Sequence, residues 1–182
     1  MGWNAQPTRQ VILDGVRVPA SHLLGEEGDG FAIAMRGLNG GRLNIAACSL
    51  GGAAWAVDRA ARHLHERIAF GKPLSAQQAL QFRLADMETS IEASRCLLAR
   101  AATALDHKKH DAVKLCAMAK QFVTDHSFDA ANSALQLLGG YGYLSEYGIE
   151  RVVRDLRVHQ ILEGTNEIMR LIVSRAVLEE TA

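Results

Sequence analysis

The sequence predicts an all-α protein: an up-and-down helical bundle preceded by one or two short β-strands. Three observations carry this. Alanine and leucine abound while proline (3 residues) and aromatics (5%) are scarce, a balance that favours helix over sheet. From Phe31 onward apolar residues recur at three- and four-residue intervals, the period of an amphipathic helix. Glycine, proline and capping residues interrupt that pattern at only a few points, so the helices are long and their connections short.

Residues 9–18 come first and differ from the rest. They are β-branched and alternating, with Asp14-Gly15 between the halves, and read as two short strands with a tight turn or one strand with a bulge. A lone hairpin is marginal in water, so these strands are expected to belong to a sheet completed elsewhere. Residues 1–27 are therefore assigned to the remnant and linker of another domain, and 28–182 to the bundle; the chain reads as beginning inside a larger protein. The first helix, about 30–67, carries Ile33, Leu38, Ile45, Leu50, Ala54, Val57, Ala61 and Leu64, and stops at Phe70-Gly71-Lys72-Pro73. Ser75-Ala76-Gln77-Gln78 is a capping box for the second helix, about 76–107, with the stripe Leu80, Leu84, Met87, Ile91, Leu98, Ala102 and Leu105. The third, about 111–138, carries Val113, Cys116, Ala119, Val123, Ala130, Ala134 and Leu138 and ends at Gly139-Gly140. A shorter helix follows Ser145, and the last begins after Thr165, its expected cap, running to about Glu179.

Composition excludes several function classes. Twenty basic and twenty acidic residues cancel, so there is no general affinity for nucleic acid or anionic membrane. No apolar run is long enough to span a bilayer, and no targeting signal is visible. Cys48, Cys96 and Cys116 lack metal-ligand spacing and read as small core residues in a reducing compartment. His107 and His110, beside Asp106 and Asp111, read as a solvated turn rather than a metal site.

Four stretches sit poorly in a plain bundle. Asn39-Gly40-Gly41-Arg42 places two glycines inside a helix, each costing about 1 kcal/mol relative to alanine. Either the helix breaks or kinks there, or side chains were removed so that a ligand can approach the backbone beside Arg42. Arg67, at the end of the first helix with Phe70 just beyond, either complements the helix dipole or grips a phosphate. Gln136-Leu137-Leu138-Gly139-Gly140-Tyr141-Gly142-Tyr143 has more glycines than a helix stop requires, which favours backbone contact with something flat or phosphorylated. Glu163, flanked by Ile161, Leu162 and Gly164, is either a solvated loop carboxylate or, in apolar surroundings, a general base.

With one further motif, these stretches occur in a telling order: Leu-Asn-Gly-Gly-Arg (38–42), Glu-Arg-x-x-Phe-Gly-x-Pro (66–73), Leu-Gln-Leu-Leu-Gly-Gly-Tyr-Gly-Tyr (135–143), Arg-Asp-x-Arg (154–157) and Glu-Gly-Thr-Asn-Glu (163–167). Together they resemble the C-terminal half of the acyl-CoA dehydrogenases. The Asn-Gly-Gly-Arg variant and the Gly-Trp-Asn-x-Gln-Pro-Thr opening at 2–8 are most similar to the isobutyryl-CoA dehydrogenase branch.

The resemblance implies FAD as electron acceptor and α,β-dehydrogenation of a short, branched acyl-CoA. Another short-chain acyl-CoA, or a catalytically silent bundle serving assembly, are the alternatives. Glu163 would match the catalytic base. Asn39, Gly40, Gly41, Arg42, Gly164 and Arg175 would match substrate-contact positions. Arg67, Phe70, Gln77, Gln78, Gln136, Leu137, Leu138, Gly139, Gly140, Thr165, Asn166 and Glu167 would match positions along FAD, part of it the FAD of a neighbouring subunit. Some relatives carry the base in the first helix, just before the arginine; Gly41 stands there in this chain, which leaves Glu163. Many relatives have tyrosine where Leu162 stands. A homotetramer, an electron-transferring flavoprotein as electron acceptor, and a cytoplasmic (bacterial) or mitochondrial-matrix (eukaryotic) location follow from the same resemblance.

Overall fold

The computed structural model describes residues 1–182. Five α-helices make the bundle: α1 (Gly30–Glu66), α2 (Gln78–Asp106), α3 (Ala112–Leu138), α4 (Ile149–Arg157) and α5 (Asn166–Glu180). Between α1 and α2 two short antiparallel strands, β1 (Ile68–Ala69) and β2 (Lys72–Pro73), close a tight turn in the register Ile68 to Pro73 and Ala69 to Lys72. No helix is long and apolar enough to cross a membrane.

The small side chains of the sequence dictate how the helices pack. Ala46, Ala53, Ala56 and Ala60 of α1 and Ala130, Ala131 and Ala134 of α3 all lie in one core. With little more than a methyl group on each facing position, the two helices can approach closely along most of their length. Leu50, Val57 and Leu64 of α1 and Met87 and Ile91 of α2 fill the space beside this seam. Burying a leucine such as Leu64, 2% exposed, contributes about 1.5–3 kcal/mol. A second core, Leu43 with Ala101, Ala104, Leu115, Cys116 and Ala119, closes the end of the bundle where α1 begins.

The later elements follow the central pair. α4 and its continuation run back along α1: Gly148 meets Trp55, Val152 and Leu156 press on Gly52, and His159 bonds Ser49 at 2.7 Å. α5 then runs antiparallel to α3, from Asn166 beside Thr124 (3.0 Å) to Glu180 beside Lys114 (2.7 Å). The chain therefore passes Glu163 at the end of the bundle where α1 and α3 begin.

Several local expectations are corrected. Residues 9–18 form no strand; the bend at Asp14-Gly15 is present, with Gly15 at φ +61°, but nothing lies alongside to complete a ladder. Val11, Ile12 and Leu13 are accordingly 77–80% exposed. The capping box at Ser75 does not form. Residues Leu74–Ala76 make a 3₁₀ turn that moves the helix start to Gln78, and the Gln81 amide donates to the Ser75 carbonyl at 2.8 Å instead. Val113 is 47% exposed, because α3 turns Ala112, Leu115 and Cys116 inward at that end. Gly40-Gly41 does not interrupt α1, which removes the helix-break reading. Of the cysteines only Cys116 is buried; Cys48 and Cys96 are exposed.

Candidate active site

Glu163 occupies a turn between the 3₁₀ segment Val158–Gln160 and α5. Its φ is +57° and that of Gly164 is +88°, so two successive residues take the left-handed conformation. For glutamate this is unfavourable by roughly 1–2 kcal/mol, a strain that only the surrounding structure can hold. The result is a reversal that turns the Glu163 side chain onto α1. There it fills the space above Gly41: a Cβ at that position would come within 2.8 Å of the Glu163 carboxyl carbon. Half-buried, the carboxylate accepts no hydrogen bond and joins no ion pair, so its lone pairs remain available.

Two cations face the carbonyls of the same turn. Arg42, 7% exposed, donates Nη1 to Asn39 Oδ1 at 2.9 Å and directs Nε to the Glu163 carbonyl at 3.5 Å. Lys120 of α3, fully buried, donates to the Gly164 carbonyl and to Asn166 Oδ1, each at 2.8 Å. Burial pushes its ammonium down to about 8; the Asp125 charge opposes that shift and Arg42 adds to it. Asn166 completes the net by donating to Thr124 Oγ1 at 3.0 Å and Asp125 Oδ1 at 2.6 Å. Burial also lowers the basicity of His159, partly offset by Asp155.

A second constellation lies at the far end of α1. Arg67 is exposed and joins no ion pair; its guanidinium stands 5.6 Å from the centre of the Tyr141 ring, whose edge meets His63. Gly139 and Gly140 begin the 3₁₀ turn Gly139–Tyr143, exposed and with open space where a Cβ would stand. Phe70, 91% exposed at φ +54°, caps the neighbouring β1–β2 turn. At about 1.5 Å per residue, His63 lies roughly 30 Å along α1 from Arg42.

The residues proposed from sequence thus divide. Asn39, Gly41, Arg42, Glu163 and Gly164 come together; Arg67, Phe70, Gly139 and Gly140 form the second group. Gln77 and Gln78 stand at the start of α2, half-buried and exposed respectively, and Gln136 is exposed near the end of α3. Leu137 and Leu138, at 6% and 3% exposure, put their side chains into the core, because they lie on the face of α3 that meets α1. The Asn166 side chain is likewise taken up internally, by Lys120, Thr124 and Asp125. Thr165 is the residue before α5 but its hydroxyl caps no backbone amide. The exposed Glu167 carboxylate is held below the usual range, first by its own backbone amide and then by the nearby Thr165 side chain. Arg175 lines a separate cleft with His110, Asp111, Lys114, Glu179 and Glu180, which includes neither Glu163 nor Arg42. Lys120 was missed by the sequence reading. Its signal was its place three or four residues from Cys116 and Val123, on the stripe assigned to the core.

The family model for the acyl-CoA dehydrogenase C-terminal domain matches residues 28–178. The chain belongs to the acyl-CoA dehydrogenase family. It is 53% identical over 180 residues to the mitochondrial isobutyryl-CoA dehydrogenase of Bos taurus, covering 99% of this chain and 43% of that protein. Among solved structures it is similar to butyryl-CoA dehydrogenase from Megasphaera elsdenii, at 43% identity and a TM-score of 0.85 over 88% of this chain and 42% of that one. A chain in a structure of the electron transferring flavoprotein of Acidaminococcus fermentans is 45% identical, with a TM-score of 0.88 over 92% of this chain and 44% of its own length. The chain thus spans less than half the length of each of these three proteins.

Proposed function

We propose that this chain is the base-bearing domain of an FAD-dependent acyl-CoA dehydrogenase acting on a short, branched acyl-CoA of the isobutyryl kind. The observation that carries the reading is the Glu163 carboxylate, free of every hydrogen bond and ion pair and set in the space that a side chain at Gly41 of α1 would fill. Such a group can take a proton; a structural carboxylate would be paired. The 53% identity to a mitochondrial isobutyryl-CoA dehydrogenase supports the substrate class.

In this mechanism Glu163 removes the α-proton of the thioester as the α,β double bond forms. FAD, when bound, supplies the acceptor for the β-hydrogen, which leaves as hydride. Asn39 to Arg42 and Gly164 bracket the carboxylate and would meet the acyl-CoA. Arg67, Gly139 and Gly140 suit a dinucleotide: an unpaired guanidinium for the pyrophosphate, and bare backbone that a flat group can approach. Thr165 and Glu167, beside the base, suit the flavin end. Because the two groups lie roughly 30 Å apart along α1, they would serve the cofactors of two copies in an oligomer. Electrons would pass on to an electron-transferring flavoprotein. Residues 1–27 belong, on this reading, to a middle domain that would pair the exposed segment 9–18.

Glu163→Gln in the full-length enzyme carrying this domain tests the assignment. The amide keeps the shape but cannot take a proton, so turnover should fall about 10²–10⁴-fold or further while FAD and acyl-CoA still bind. Turnover close to wild type would reject Glu163 as the base. A panel of short linear and branched acyl-CoA thioesters then ranks the substrates.

A further inference from the structure

Lys120 is the one ammonium sealed wholly inside the bundle. It is not held there by a carboxylate in direct contact. Its two hydrogen-bond acceptors are the Gly164 carbonyl, one residue after Glu163, and Asn166 Oδ1, at the first position of α5. Both therefore belong to the segment that carries the base. A charge enclosed in a protein interior is costly unless its hydrogen bonds are made, and here every bond it makes is to that segment.

We propose that Lys120 is a positioning residue for the base: from inside α3 it holds the Gly164 carbonyl and the Asn166 side chain, and so fixes where the Glu163 carboxylate reaches. The proposal rests on the reading of Glu163 as base. Three features of the turn give Lys120 this role. First, Glu163 and Gly164 are both left-handed, at φ +57° and +88°, a conformation that needs an external hold. Second, the opposing contact is weak, since Arg42 Nε stands 3.5 Å from the Glu163 carbonyl, at the limit of a hydrogen bond. Third, Asn166 is itself fixed, through Thr124 and Asp125 of α3, so that Lys120 joins the turn to a rigid helix at two points. With Lys120 gone, the Gly164 carbonyl loses its partner and the turn is free to relax away from Gly41.

Lys120→Met keeps the length of the side chain and removes the donors; Lys120→Gln keeps one end that can donate. Both are made in the full-length enzyme and compared with Glu163→Gln. A base displaced by about 1 Å can cost on the order of a hundredfold in rate, so kcat in Lys120→Met should fall about 10- to 100-fold. KM for the acyl-CoA and FAD content should stay within about twofold, because neither is held by Lys120. Lys120→Gln should recover part of kcat. Amide hydrogen exchange of residues 161–167 should accelerate in Lys120→Met while that of the α1–α3 core does not, which a general loss of stability would not produce. If Lys120→Met proves insoluble, Lys120→Gln carries the same test, with lowered kcat, unchanged KM and faster local exchange. Wild-type kcat in either variant, or exchange that rises equally throughout the bundle, overturns the proposal. Glu163→Gln separates the two readings. If it is inactive while the Lys120 variants behave as wild type, the positioning role alone fails; if it is active, the base assignment itself fails.

Discussion

At position 41, three turns into a 37-residue helix, a residue has no side chain, and the space so left is taken by a carboxylate from 122 positions later. The helix is weakened by about 1 kcal/mol relative to alanine there, and Glu163 gains a seat that no other residue type would leave open. Gly41→Ala should therefore behave contrary to its helix propensity. Its methyl group would fall on the carboxylate, and with Glu163 as the proposed base that displacement should lower kcat by roughly 10- to 100-fold. Gly51→Ala, ten positions on in the same helix and facing open space, is the control. It should raise thermal stability by the propensity difference of up to about 1 kcal/mol and leave kcat unchanged. Steady-state kinetics and melting curves of the two variants check this; equal kcat in both would mean that the Glu163 carboxylate has room to move aside.

The helices themselves were largely legible in the sequence, and the reasons for the exceptions are local. α1, α2, α3 and α5 begin and end within about two residues of their expected bounds, because a long amphipathic stripe leaves little choice of register. The Ser75 box failed because a 3₁₀ turn competes for the same residues. The segment 9–18 shows the alternation of a strand, yet a strand exists only with a partner. In the site, Glu163 stood out through its flanking apolar residues and glycine. Lys120 did not, since a lysine within a helix reads as solvent-facing until its neighbours at three and four positions are seen to be core. Arg67 was named from its place at the end of α1, and there the structure adds Tyr141 beneath its guanidinium. If it grips a phosphate, Arg67→Ala removes charge-assisted hydrogen bonds of about 1.5–3 kcal/mol and weakens FAD retention roughly ten- to a hundredfold. Substrate KM at saturating FAD should hold steady. An unchanged FAD dissociation constant, with only a lower melting temperature, would leave Arg67 as a helix-end complement to the dipole.

Across the whole molecule, α1 acts as a rigid spacer with Glu163 toward one end and Arg67 at the other. The α1–α3 seam of alanines leaves it no freedom to bring the two together. On the proposed reading each copy of the chain completes its own site with Glu163 and a neighbour's site with Arg67. Subunits carrying only Glu163→Gln and subunits carrying only Arg67→Ala, coexpressed, should then form mixed pairs. In each mixed pair one site has a working base and an intact FAD clamp, and the other has neither. With random pairing of a two-fold assembly, FAD-retaining activity should return to about a quarter of the wild-type value. Separately expressed and pooled without exchange, the two variants should show none of this recovery. Absence of recovery in the mixed pairs would mean that one copy supplies both ends of its own site.

On the proposed reading, the length of α1 has a consequence for heredity. Two damaged alleles, one altered near position 163 and the other near position 67, should complement each other in a cell that carries both. Two copies of either allele should not. Severity in such a cell would depend less on how much each lesion harms its own polypeptide than on whether the two lesions lie at the same end of one helix.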